Sequence, residues 1–519
     1  MQTFPRNWFG SRTIHVGFAG IGLALLRLAC ALITLAPQAH AQGGVPLWTN
    51  WGGAALAVDS SGNVVVTDRS ANTNMPPYHY YYETIKFSGA GVPLWTNRYH
   101  GPAGWNDEPF GVAVDAIGNV FVTGGCSATP YEKDYATVAY SSTGLPLWTN
   151  RYNEAGFHDQ VDDVAVAVAM DGSGNVFVTG YSFANESGYD YATLKYSGAG
   201  MPLWTNRYTG SVAPGDDPDY ATALVVDGSG NVIVTGYSSD TGNYDFEYAT
   251  IKYSNAGAPL WTNHYNFFGA GNTGNDRPVG VVVDTGGNVF VAGNSWNGSN
   301  SDWATVAYAS AGAPLWTNRW NGPGNGNDFA SAVAVDRSGN VVVTGQSESS
   351  GRLTGNYATI KYSGAGVPRW TNYYNGPRNG DDYASAIAVD SSGNVFVTGD
   401  SSGSGTSSHD EVATVAYSSA GVPLWTNRYN GYASAIAVDR SGNVFVTGSE
   451  TIKYSSSVPL VHLDFQRLNN QLVLSWTNAG FNLQSAPALI GSFTNVAGAT
   501  SPYTNLIVDP QQFFRLKAN

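Results

Sequence analysis

One block of sequence recurs eight times along this chain, and a unit of that length can bury an apolar face only against its neighbours. The copy from Asp328 to Asn372 reads DFASAVAVDRSGNVVVTG, a variable stretch, then YATIKYSGAGVPRWTN. A VD-x-x-GN element marks every copy, at Asp59, Asp115, Asp171 (preceded by Met170 instead of valine), Asp227, Asp284, Asp336, Asp390 and Asp439. A P-[LR]-W-T-N element does the same, at Trp48, Trp95, Trp148, Trp204, Trp261, Trp316, Trp370 and Trp425. Successive aspartates stand 49 to 57 residues apart.

Within one period the residues predict four strands: a (330–335), b (340–345), c (357–362) and d (368–373). β-Branched and aromatic residues alternate in them, and Gly, Asn, Ser and Pro fill the gaps. No stretch of the repeats carries a helical apolar period. Four short antiparallel strands at this period predict the blades of an all-β propeller. Side-chain size agrees. Strand a alternates alanine, as in Ala330, Ala332 and Ala334, which suits the crowded axis; strand d carries a Trp-x-Asn-x-Tyr face. The eight tryptophans therefore read as structural wedges between blades. The chain enters on a d element, residues 46–50, and leaves the repeats after a, b and c, residues 433–454. The N-terminal strand is expected to complete the last blade, giving an eight-bladed propeller; seven blades with a frayed end is the alternative.

GVAVDAIGNVFVTG followed by YATVAYSSTGLPLWTNRY resembles the bacterial beta-propeller repeat (SBBP) family and is similar to NHL-type repeats. The resemblance implies an exported or surface propeller used for binding or scaffolding, covering residues 42–457.

Ahead of the repeats, Arg6 and Arg12 precede an apolar run at 16–36 interrupted by Arg27, and Ala39-His40-Ala41 offers a cleavage site. Residues 1–41 read as a signal peptide, which implies a secreted or cell-surface address, in the periplasm or on the outside of a Gram-negative bacterium. A lipoprotein reading through Cys30 is disfavoured by Arg27, which stands where an aliphatic residue is needed. No later segment is apolar enough to span a bilayer. Removing the leader takes three arginines and no acid, so the formal charge moves from −14 to −17. That balance argues against nucleic acid and anionic membranes as partners. Cys126 then stands alone and reads as a small buried hydrophobe.

The two ends of such blades differ in chemistry. The a–b and c–d turns are monotonous, and D-x-x-GN reads as a turn motif, since it lacks the alternating oxygen ligands and terminal glutamate of a calcium loop. The b–c and d–a loops vary in length and carry Tyr78, Trp105, Tyr131, Phe183, Tyr244, Phe267 and Trp296 among Asn, Asp and Gly. Variable loops on a rigid scaffold are where binding resides, and rings beside amides suit sugars. Packing of the rings onto their own loops is the competing reading. Trp105 and Trp296 are the ring candidates carried forward as ligand contacts. Eight residues before the VD aspartate, six copies carry another: Asp107, Asp163, Asp219, Asp276, Asp328 and Asp382; Trp51 and Gly431 stand there in the first and last copies. A broken ring of carboxylates at the channel mouth would hold Ca2+ or hydroxyl-rich groups; caps on backbone amides are the alternative. No other cofactor is implied.

The tryptophan-bearing ending is also similar to quinoprotein dehydrogenases, but the adjacent cysteines associated with that cofactor are absent. No G-x-S-x-G or H-E-x-x-H is present, and the histidines are scattered singly, so no catalytic residue is assigned. Three functions stay open. The first is a binding or scaffold propeller engaging an extracellular glycan or cell-surface protein. The second is a structural or adhesion protein without a small ligand. The third is a polysaccharide hydrolase or lyase drawing on carboxylates such as Asp107 and Asp276. Beyond the repeats, residues 458–519 predict six short strands and a small β-sandwich-like domain; LSW…FNLQSA…FFRL resembles a C-terminal module of secreted planctomycete and verrucomicrobial proteins.

Overall fold

The computed structural model describes residues 14–17, 44–71, 79–129, 132–153, 162–184, 187–210, 218–239, 246–267, 274–348, 354–402, 411–455, 463–469, 471–476, 481–487, 492–506 and 511–518. The described residues are all β, and no helix among them is long and apolar enough to cross a membrane. Two compact units emerge, Gly44–Ser457 and a second made of Met1–Gly43 with Val458–Asn519.

The repeat unit holds eight four-stranded antiparallel sheets, each pairing a, b, c and d in order. The sixth is representative: Asp328–Val335, Val341–Glu348, Gly355–Tyr362 and Pro368–Tyr374. Its strand a begins two residues earlier than the sequence predicts, because Asp328 and Phe329 already pair with Ser347 and Gln346. The eighth sheet is composite. Ala433–Val438, Val444–Gly448 and Glu450–Ser455 supply a, b and c, and Val45–Trp51 pairs antiparallel to the last of these, Asn50 opposite Thr451. The first strands contact one another in chain order, and Ala433–Val438 also contacts Ala55–Val58 of the first sheet.

Burial follows strand position. Strands b and c lie in the middle of each sheet and are buried along their length, as in Val395–Ser401 and Glu411–Tyr417. A recurrent polar pair between them is satisfied internally: Thr344 and Thr359 meet hydroxyl to hydroxyl at 3.0 Å, and Thr398 meets Thr414 in the same way. The apolar clusters straddle neighbouring sheets; one joins Phe290 and Trp303 of the fifth to Val341 and Ile360 of the sixth. Strand d alternates exposed and half-buried residues, its Trp, Asn and Tyr turned inward.

Polar side chains tie the sheets in one direction. Asn97 Nδ2 donates to the Gly144 carbonyl at 2.7 Å and Trp95 Nε1 to Ser142 at 3.2 Å, both in the next sheet's c–d turn. The same two bonds join Trp370 and Asn372 to Ser419 and Gly421. From the seventh sheet Asn427 donates to Gly44, at the head of the strand that completes the eighth. From that strand Asn50 donates to Gly91 in the first sheet, at 2.8 Å. Inside the stack, the Tyr357 hydroxyl donates to Ala413 of the following sheet at 3.2 Å.

The leader reading falls outside the described residues except at Ile14–Gly17, which pairs antiparallel with Gln511–Ala518. The second unit contains one sheet built on that pairing and another of Asp464–Leu468, Gln471–Ser475 and Tyr503–Leu506. Leu472, Leu474, Trp476, Leu483 and Phe514 form its core.

Candidate binding face

At one end of the sheets every D-x-x-GN aspartate is spent on its own turn. Asp336 Oδ1 accepts the amides of Ser338 and Asn340, both at 2.9 Å, and its Oδ2 accepts Asn340 Nδ2. Buried lysines from strand c neutralise several of these carboxylates: Lys252 lies 2.8 Å from Asp227, Lys361 2.9 Å from Asp336 and Lys86 3.1 Å from Asp59. Burial works against the charged form of Asp227, but the ammonium and the turn's donors outweigh it and hold this carboxyl below its ordinary range. This end is a structural one.

At the other end lie the six recurrent aspartates, and they do not face a common mouth. Each is buried. Asp107 accepts the amide of Gly101, in its own d–a loop, at 2.7 Å, and that of Ser127, past the middle of strand b, at 2.8 Å. Asp276 does the same with Phe267 and Trp296. Asp382 accepts Gly376 N–H at 2.7 Å and the Ser401 hydroxyl; Asp163 accepts Phe183, Asp219 accepts Gly210 and Asp328 accepts Gly322. The repeated carboxylate clamps the d–a loop to strand b, as a capping residue does. Burial pushes Asp107, Asp276, Asp328 and Asp382 above the ordinary carboxyl range, and Asp219 up to about 7. These bonds are those of the amide-cap alternative, and an ion shared among the six would have to displace them. Among the described residues no group of three or more His, Cys, Asp or Glu could hold a metal.

The loop rings divide. Trp105 is partly exposed beside His79, with ring centroids 4.9 Å apart, and Phe267 lies under the Arg319 guanidinium at 3.8 Å. Trp296 is half-buried, and its amide serves Asp276. Phe183 packs on Tyr189 at 5.4 Å. Tyr78, Tyr131 and Tyr244 lie outside the described residues. Cys126 is fully buried, and burial pushes its thiol up to about 11, so it is no nucleophile.

A second set of rings, which loop-based reading misses, stands at the entry to the first strands, Phe329 and Tyr383 within them and Tyr432 immediately before Ala433. Phe329, Tyr383 and Tyr432 are 42%, 45% and 51% exposed, between a neighbour at the aspartate position and a buried alanine. Their register is identical, since the alanine that follows each one pairs with a glycine of strand b: Ala330 with Gly345, Ala384 with Gly399, Ala433 with Gly448. Immediately past Ala330 and its equivalents the ladder slips by one residue, a bulge that interrupts the regular pairing where the strand enters this end. The signal was in the sequence as [DG]-[FY]-A-S, three copies running. Trp51, on the strand that completes the eighth sheet, is 80% exposed at the same end.

No curated protein sequence matches the chain. Among solved structures, Sqt1 from Chaetomium thermophilum is 9% identical with a TM-score of 0.49, over 80% of this chain and 100% of that one. The WD40 domain of SCAP from fission yeast is 11% identical with a TM-score of 0.42, over 79% and 97%. A streptogramin B lyase structure is 12% identical with a TM-score of 0.38, over 67% and 92%. At these scores none of them carries an activity, ligand or partner to this chain. Residues 369–405, which run from strand d of the sixth sheet into the seventh, match the SBBP beta-propeller repeat family. The same strand order and the same residues at the same register recur on both sides of that match, so the other copies are similar to the matched SBBP beta-propeller repeat.

Proposed function

We propose that this chain is an exported, non-catalytic binding or scaffold protein. It is a closed eight-bladed propeller that holds extracellular polysaccharide, or another surface component, on its b–c and d–a loop face. The observation that carries the reading is the contrast between the two ends of the sheets. One end spends its recurrent aspartates on its own turns, as at Asp336; the other varies its loops and leaves rings open to solvent. Pairing of Val45–Trp51 with Glu450–Ser455, together with the contact of the eighth first strand with the first, supports eight blades and closure. The secreted address rests on the leader pattern of residues 1–41.

The hydrolase or lyase reading draws less support, because Asp107 and Asp276, the pair named for it, are buried and bonded to amides. A structural or adhesive role has its own support. The outermost strands and the turns before them expose aliphatic residues copy after copy, including Leu94, Leu145, Leu147, Met201 and Leu203. An array of bacterial and plant polysaccharides, probed with the mature chain, decides between them. Retention of defined glycans without release of reducing ends is expected. An array that stays blank would leave the adhesive role, and turnover would restore the enzyme.

A further inference from the structure

The polysaccharide reading can be sharpened to one place and one kind of chain. We infer that Phe329, Tyr383, Tyr432 and Trp51 form a single stacking site for an uncharged oligosaccharide spanning several sugar units. This rests on the polysaccharide reading and goes beyond it.

Repetition alone does not account for the arc, because no other described copy carries a ring this exposed at the same register position. Val164 is buried there in the third sheet. Tyr220 in the fourth is engaged by Tyr189 at 5.5 Å and Tyr237 at 5.2 Å. Arg277 in the fifth lies over the rings of Tyr237 and Phe246 at 4.7 and 4.6 Å. Glu108 in the second is held by Arg69 at 3.0 Å and Lys133 at 2.8 Å. The sixth, seventh and eighth sheets, whose first strands pack in succession, instead turn rings to solvent. The eighth joins strands b and c through Ser449 alone, so no long loop rises from it beside Tyr432 and Trp51.

The surroundings select the ligand. An exposed ring offers a flat apolar face, and the C–H face of a pyranose fits it while the sugar hydroxyls remain free to hydrogen-bond. Amides stand close by in sequence and register: Gln346 pairs with Phe329, and the loops leading into Phe329 and Tyr383 carry the bonded pairs Asn321–Asn325 and Asn375–Asn379. Asp400 pairs with Tyr383. A carboxylate at that place, in a chain of formal charge −14, disfavours a polyanion. Rings on three successive sheets and a fourth beside them call for a ligand that repeats its apolar face, which one sugar does not.

The test is calorimetric titration of the mature chain with three neutral hexasaccharides, cellohexaose, mannohexaose and N-acetylated chitohexaose, and with acidic hexagalacturonate. At least one neutral chain is expected to bind, its disaccharide at least tenfold more weakly, and hexagalacturonate more weakly still. Tyr383→Ala and Tyr432→Ala should each weaken the bound hexasaccharide about tenfold, and Tyr373→Ala, exposed on an outer strand, should not. Should a ring variant fail to fold, acrylamide quenching of Trp51 in the wild-type chain, read against Trp51→Phe, gives the same answer: the hexasaccharide should shield it. Unchanged affinity in the Tyr383/Tyr432 double variant, or unshielded Trp51, overturns this site while leaving the polysaccharide reading intact. A preference for hexagalacturonate overturns it too. If no hexasaccharide binds and the glycan array is also blank, both fall, and a peptide with aromatic or proline residues becomes the next probe.

Discussion

Gly52 crosses against the backbone of Gly448: a Cβ built on Gly52 would stand 1.8 Å from the Gly448 carbonyl oxygen and 2.5 Å from the carbonyl carbon of Ser449. The chain leaves the strand that completes the eighth sheet at this point and passes directly to the first. Gly52→Ala is therefore expected to force the two backbones apart, at a cost of ~1–3 kcal/mol or more, as overpacking usually does. Urea unfolding followed by fluorescence measures it, and a midpoint equal to that of wild type would show that the crossing has room to spare.

The clasp across the eighth sheet should matter as much as an interior one. Asn427→Ala removes the bond to Gly44, and Asn97→Ala removes the bond to Gly144. Each is expected to cost ~1 kcal/mol, the usual net worth of a hydrogen bond, plus the desolvation of the carbonyl left behind. A large loss for Asn97→Ala with none for Asn427→Ala would mean that the seventh and eighth sheets separate in solution.

Stability should also follow pH with two opposite signs. Burial pushes Asp219 up to about 7, so its protonated form is the one the folded chain favours. Its contribution is present in full below the unfolded value near ~4 and is lost as pH rises through about 7. Asp227 is held low, so its contribution is present above that unfolded value and is lost as pH falls through the depressed folded one. Thermal unfolding should thus peak in mildly acidic solution, and Asp219→Asn should flatten the alkaline limb. A variant whose midpoint still falls from pH 5 to pH 7 as the wild type's does would remove Asp219 from the explanation.

Calcium should make no difference. With the six recurrent aspartates bonded to amides, the unfolding midpoint in millimolar calcium is expected to equal that in chelator. A rise of several degrees with calcium would return these side chains to the list of ligands.

The strands were legible because their residues obey one alternation throughout: Thr344 faces Thr359 and Trp370 faces inward wherever the motif recurs. The composite eighth sheet was legible from the order in which a, b, c and d elements appear. The aspartates were visible in spacing but not in direction, since a period says that Asp107 and Asp276 are equivalent and not whether they turn to water or to an amide. Burial decided that, and burial belongs to the packed sheets. Phe329, Tyr383 and Tyr432 were passed over for a related reason. They sit in or just before first strands, where an aromatic residue ordinarily packs, as Tyr220 does at the same position of the fourth sheet.

The donation from Asn427 to Gly44 joins segments 383 positions apart in the chain. Within the repeat unit the earliest strand thus lies hydrogen-bonded between the two latest sheets, so Val45–Trp51 cannot leave without also breaking its ladder to Glu450–Ser455. A segment tied on both sides in this way gives up its contacts together, and its loss is expected to be one cooperative step.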